Sequence, residues 1–195
     1  GVRLRGEAWL ANVTAFTGDY KDFISQVQIG GNFTPANPAL YQFVNLGSVK
    51  IDGIEARGQA ELGAGFSLKV AAAYARGTSA SGGVKAPLDS IDPLKLVVGL
   101  AWSDAEGRFG GQVSASRAGG SCGALCYTPP SFTILDATGY WNINDAATLR
   151  VGVFNITDEA YSWWSDVRGL TRTSTVLDAY TQPGRNFGVS LSVRM

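Results

Sequence analysis

Apolar and polar positions alternate with a period of two along most of this chain. Phe66, Leu68, Val70, Ala72 and Tyr74 form one apolar row, and Leu94, Leu96, Val98, Leu100 and Trp102 a second. Phe109, Gly111, Val113 and Ala115 make a third; Leu135, Ala137, Gly139, Trp141 and Ile143 a fourth. Leu149, Val151 and Val153 follow. Phe187, Val189, Leu191, Val193 and Met195 then carry the pattern to the last residue, against Asn186, Gly188, Ser190, Ser192 and Arg194. From Ile54 to Leu62 the alternation sets apolar or small residues against Glu55, Arg57, Gln59 and Glu61. Successive strand side chains point to opposite faces, so each segment predicts a strand with one oily face and one wet face. The pattern predicts about eight strands, near 3–29, 40–62, 65–77, 93–104, 107–118, 131–143, 147–156 and 184–195.

The connections alternate as well. Leu62-Gly63-Ala64-Gly65, Asp104-Ala105-Glu106-Gly107 and Asn144-Asp145-Ala146-Ala147 are tight and rich in turn formers. Between them lie long connections, at about 30–40, 79–92, 119–130 and 161–183. A soluble sandwich has no reason to sort its loops this way. An antiparallel transmembrane β-barrel does, with short periplasmic turns at one end and longer extracellular loops at the other. The chain's end falls on the short-turn side and is therefore expected to be periplasmic. Phe66, Trp102, Phe109 and Trp141 all lie beside short turns, where an interfacial aromatic girdle belongs.

Composition narrows the function classes. Charged residues are 16%, against roughly 25% in soluble domains. Formal net charge is zero, so nothing points to nucleic acid. No apolar run approaches the roughly 20 residues of a membrane helix. The chain starts without Met and without a signal peptide, which suggests a mature product or the end of a longer protein. There is no His, so a Ser-His-Asp or Cys-His relay is impossible and no enzyme activity is expected. Two cysteines, Cys122 and Cys126, stand close enough to close a small loop in an oxidising compartment, the alternative being two free thiols. With no second Cys pair, no metal-ligand set is formed. Eight strands could close a small barrel alone or form part of a larger one.

Several motifs bear on that choice. Asn45-Leu46-Gly47-Ser48-Val49-Lys50-Ile51-Asp52-Gly53-Ile54-Glu55 resembles a strand of TonB-dependent outer-membrane receptors, and Asn155-Ile156-Thr157-Asp158-Glu159-Ala160-Tyr161 resembles their "N-L-T-D-x-x-Y" element. Ser165-Asp166-Val167-Arg168-Gly169-Leu170, Tyr180-Thr181-Gln182-Pro183-Gly184-Arg185-Asn186-Phe187 and Pro87-Leu88-Asp89-Ser90-Ile91-Asp92-Pro93-Leu94-Lys95 resemble the haem/haemoglobin branch. The resemblance runs from about Trp9 to Met195, in order. It implies that residues 1–195 are the C-terminal portion of a barrel of about 22 strands, with the plug domain absent from this segment. It further implies TonB-dependent uptake of haem, free or from haemoproteins, with haem as transported ligand rather than bound cofactor. The expected partners are outer-membrane lipid, the TonB system through the missing plug, and haem or a haemoprotein at the extracellular loops of a Gram-negative bacterium. A siderophore receptor and a free-standing anchoring or adhesive barrel are the alternatives. Two departures stand out: Met195 takes the place of the family's usual terminal aromatic residue, and no His is present to ligate haem.

Candidate ligand-binding residues cluster in the last long connection: Tyr161, Trp163, Trp164, Asp166 and Arg168. Trp could stack on a porphyrin, and Arg could meet its propionates. The same residues also suit a structural role, the aromatic ones in the wall or its upper girdle and Asp166 with Arg168 as an ion pair.

Overall fold

The computed structural model describes residues 1–32, 34–45, 47–81, 84–88, 90–119 and 127–194. The strands are β1 (Val2–Arg5), β2 (Trp9–Lys21), β3 (Ile24–Gly30), β4 (Leu40–Asn45), β5 (Ser48–Gly63), β6 (Phe66–Ser81), β7 (Val84–Pro87), β8 (Lys95–Ser103), β9 (Phe109–Ala118), β10 (Phe132–Asn144), β11 (Ala147–Phe154) and β12 (Asn186–Val193). Two short helices, α1 (Trp164–Val167) and the 3-10 turn η1 (Leu177–Tyr180), lie between β11 and β12. Nine strands form one antiparallel path, β1-β2-β5-β6-β8-β9-β10-β11-β12, with β7 paired to the end of β6. Strands β3 and β4 form a separate hairpin. The all-β antiparallel architecture is the one the alternation predicts.

Register keeps the two faces apart across the whole sheet. On one face Leu68 sits opposite Leu100, Leu100 opposite Val113, Val113 opposite Ala137, Ala137 opposite Val153 and Val153 opposite Phe187. On the other, Gln59 sits opposite Lys69, Lys69 opposite Gly99, Gly99 opposite Ser114 and Ser114 opposite Asp136. A slip of one residue in any pair would exchange the faces, so the hydrophobic pattern specifies the pairing.

The apolar face has no protein covering among the described residues. Phe187 and Val189 on β12 are 74% and 75% exposed. The chain exposes 13045 Å² in all, whereas a soluble chain of this mass folded around its own core would expose about 8,800 Å². Such a continuous oily surface needs another apolar phase to cover it. Its limits are marked on both sides. At the short-turn end Phe66 pairs with Trp102, ring centroids 6.4 Å apart, and Phe109 stacks on Trp141 at 6.0 Å. At the long-loop end Asp52 accepts a hydrogen bond from Thr17 Oγ1 (2.8 Å) and lies near Lys50 (3.8 Å) and Arg76 (3.9 Å).

Strand boundaries differ from the pattern at the N-terminal end. The segment 3–29, expected as one strand, contains three. Gly6 N–H donates to Trp9 O (2.9 Å), closing a tight turn between β1 and β2. This is a further short turn, on the same side as the others. A second break comes at Asp22, whose φ is 54° and whose N–H donates to Gly47 O. The segment 40–62 likewise divides into β4 and β5, with Gly47 at a positive φ of 44°. In both cases the sequence pattern is less regular at the break, and backbone conformation makes it. At the 62–65 turn Gly65 lies close to β8: Gly65 O accepts Ser103 N–H (3.0 Å), and a Cβ at Gly65 would meet the Ser103 carbonyl. Cys122, Cys126 and Met195 lie outside the described residues, so their pairing and terminal role remain expectations.

Candidate functional site

The connection 155–185, which carries the candidate residues, is anchored at its base by its first residue. Asn155 is 3% exposed and left-handed, with φ 50°. Its N–H donates to Asp136 Oδ1 (2.8 Å) on β10. Its Nδ2 donates to Glu159 O (2.9 Å) and Pro183 O (3.3 Å), and its Oδ1 accepts Glu159 N–H (2.9 Å). One side chain therefore ties the start of the connection to its end. Asn can hold this conformation because its short polar side chain replaces the local backbone bonds. Asp158, also left-handed, accepts Arg185 N–H at 2.7 Å and completes the closure just before β12.

Beyond this base the chain folds back over the polar face. Phe132, Ile134 and Ala118, on β10 and β9, are nearly fully buried there, with Tyr161 and Trp163 packed against them. Phe132 and Tyr161 lie 4.4 Å apart, Phe132 and Trp163 5.2 Å, and Tyr161 and Trp163 5.6 Å, the last two pairs edge to face. Such pairs contribute about 0.5–1.5 kcal/mol each beyond area burial. Lys95 Nζ sits 5.2 Å from the Trp163 centroid and 2.6 Å from Asp92 Oδ2. Burial raises the Tyr161 phenol above its ordinary range, and the Asp136 carboxylate adds to the rise.

A one-turn helix follows. Arg168 N–H donates to Trp164 O (2.9 Å), Leu170 N–H to Val167 O (3.1 Å), and Gly169 reverses the chain at φ 82°. Trp164, Val167 and Leu170 are buried, at 4%, 0% and 3% exposure. Tyr127 N–H donates to Leu170 O (2.8 Å), which ties the residues just before β10 to the same unit. Gln182 N–H donates to Tyr161 O and Gln182 Nε2 to Asp166 Oδ2 (3.1 Å), so the returning chain is fastened across the aromatic residues.

The five candidates thus divide. Tyr161 and Trp163 share one half-buried cluster; Trp164 is buried on the helix. Asp166 and Arg168 are exposed. Among the described residues no ion pair joins Asp166 to Arg168; Asp166 is engaged by Ser165 Oγ and Gln182 instead. Residues that the sequence did not assign to the site complete the unit: Lys95 and Asn155, seen there only within motifs, and Phe132, Ile134 and Asp136. Phe132 and Ile134 carry a signal, since they are apolar at positions whose strand neighbours Asp136, Thr138 and Tyr140 are polar.

Comparison with known proteins places this architecture. Residues 1–156 match the family model described as "TonB dependent receptor-like, beta-barrel". Hemoglobin-binding protein A of Haemophilus influenzae is 27% identical over 92% of this chain and 22% of its own length. In structure, the Copper transporter OprC superposes with a TM-score of 0.80 at 19% identity, covering 98% of this chain and 30% of that one. A ferric enterobactin receptor of Pseudomonas aeruginosa gives 0.67 at 19% identity, covering 98% and 29%. At these identities the structural likeness speaks for the fold alone. The chain spans about a fifth to a quarter of the length of the curated relatives it matches.

Proposed function

Since the chain belongs to the TonB-dependent receptor-like β-barrel family, we propose that it supplies the C-terminal wall of a receptor that takes up haem, free or from haemoproteins, across the outer membrane. The observation that carries this reading is the match of 92% of the chain to a haemoglobin-binding protein. The short coverage of the relatives supports a plug and further strands, to about 22 in all, supplied by other parts of the same polypeptide. The whole of 1–195 is then barrel wall and loops, with the 6–8, 64–65, 104–108 and 145–146 turns periplasmic, and with them the C-terminus. TonB acts on the plug, and this wall performs no covalent chemistry.

Within this reading the connection 155–185 is an extracellular loop folded over the lumen. Tyr161, Trp163 and Trp164 give it a fixed shape, and Asp166 and Arg168 present charge to the ligand or its carrier. Cys122 and Cys126 pair within the neighbouring loop.

Growth tests decide the ligand. In a haem-auxotrophic Gram-negative host with a working TonB system, the full-length receptor should restore growth on haem or haemoglobin and lose that ability when TonB is deleted. Restored uptake of a ferric siderophore without haem-dependent growth would move the assignment to the siderophore alternative, which the enterobactin-receptor fold accommodates.

A further inference from the structure

The polar face carries a group of cations that neither the loop cluster nor the wall uses. Arg57 on β5 and Lys69 on β6 border a hollow of about 410 Å³, with Gln59 and Gln112 beside them. All four project from the polar face by register, as Arg57 sits opposite Ala71, Gln59 opposite Lys69 and Ala101 opposite Gln112. The Gln112 amide lies over Gly99: a Cβ there would be 3.2 Å from Gln112 Nε2. The hollow floor is therefore flat and small, made by Ala71, Val97 and Gly99.

Among the described residues neither cation pairs with a carboxylate. Glu55 and Glu61 share the face on β5, outside ion-pair distance, and Asp136 further along is occupied by Asn155. Arg3 and Arg5 on β1 extend the positive side of the same rows, opposite Asn12 and Leu10. Arg57 and Lys69 stand diagonally across neighbouring strands, which places their Cβ atoms about 7–8 Å apart. Glu61 stands on the other diagonal of Lys69, and Glu55 lies two positions from Arg57 on the same strand. No ion pair among the described residues engages Arg57 or Lys69, and the hollow that they border can receive an anion. Arg offers a planar fork to a carboxylate, Lys a point charge, and the two amides supply further N–H donors.

We propose that Arg57 and Lys69, with Gln59 and Gln112, form an anion-binding station on the lumenal wall that holds the carboxylates of a small dicarboxylate cargo during passage. This rests on the uptake reading above, where the cargo is an iron porphyrin with two propionates. A carboxylate could also come from the plug of the same receptor, and the test separates the two sources.

The experiment compares haem with its dimethyl ester, which lacks both carboxylates, in cells carrying the full-length receptor. In the Arg57→Gln/Lys69→Gln variant, surface binding and heat-modifiable gel mobility stay at wild-type values. TonB-dependent haem uptake slows about tenfold, the loss of roughly one charge-assisted hydrogen bond, while ester uptake is unchanged. The Arg57→Lys/Lys69→Arg variant keeps the charges and restores most of the haem rate. Haem uptake at the wild-type rate in the glutamine variant overturns the proposal. Equal slowing of haem and ester also overturns it, and assigns the cations to a plug carboxylate. A wild-type receptor that takes up no haem sinks the uptake reading itself, before any variant is compared.

Discussion

A charge placed on the oily face tests the assignment of that face to lipid. Val113 is the residue of choice. It lies midway along β9, four positions from Phe109 in the aromatic girdle and four from Arg117 at the long-loop end, or about 13 Å of strand in each direction. It is 54% exposed and flanked by Leu100 and Ala137 in the adjacent strands. Val113→Arg therefore puts a guanidinium near the bilayer midplane, at a cost of about 2–4 kcal/mol. That corresponds to a shift of about 30- to 800-fold in the folding equilibrium. Its sequence neighbour Ser114 points to the opposite, hydrated face, across from Gly99 and Asp136. Ser114→Arg should stay within about 0.5 kcal/mol of wild type. The assay is urea-dependent unfolding of the full-length receptor in lipid vesicles, followed by heat-modifiable mobility. Equal effects of the two variants, or a larger effect of Ser114→Arg, would refute the assignment of faces and with it the membrane reading.

Other outcomes follow from the loop. Asn155→Ala removes the side-chain bonds to Glu159 and Pro183 and leaves a non-glycine residue at φ 50°. It should cost about 2–4 kcal/mol, seen as faster hydrogen exchange across 155–185. Trp163→Ala breaks the contacts with Phe132, Tyr161 and Lys95. A loss of about 1–3 kcal/mol of local stability should appear as earlier tryptic cleavage at Arg168 and Arg172; unchanged cleavage would deny the cluster its anchoring role. The Tyr161 phenol, raised chiefly by burial and then by Asp136, should ionise above the ordinary tyrosine value of about 10, by tyrosinate absorbance differenced against Tyr161→Phe. Because its folded value lies above the free value, its contribution to stability is full below about pH 10 and fades as pH rises through the folded value. Asp136→Asn should lower the transition only partly, since burial persists. Mass spectrometry of the unreduced receptor should find Cys122 and Cys126 joined; free thiols in protein isolated from the oxidising envelope would refute the pairing.

The sequence alone determined the faces of the wall. Strand side chains alternate strictly, so Leu68, Leu100, Val113 and Phe187 had to share a surface once their strands paired in register. The sorting of short and long connections similarly determined the up-and-down path, because turn chemistry is local. Local signals failed where the alternation is less regular and the backbone breaks, at Gly6–Ala8, Asp22 and Gly47. The motif at Asn155–Tyr161 was visible, but its task was not: Asn155 reaches Asp136 and Pro183, 19 and 28 residues away. The same holds for the candidate site. Composition grouped Tyr161, Trp163, Trp164, Asp166 and Arg168, while tertiary structure separated the buried rings from the exposed charges by folding the connection onto Phe132 and Ile134. Arg57 and Lys69 read as ordinary wet-face charges in their own strands. Only the succession β5-β6-β8-β9 across the sheet set them around one hollow, because strand neighbours across a sheet are chosen by topology and not by distance along the chain.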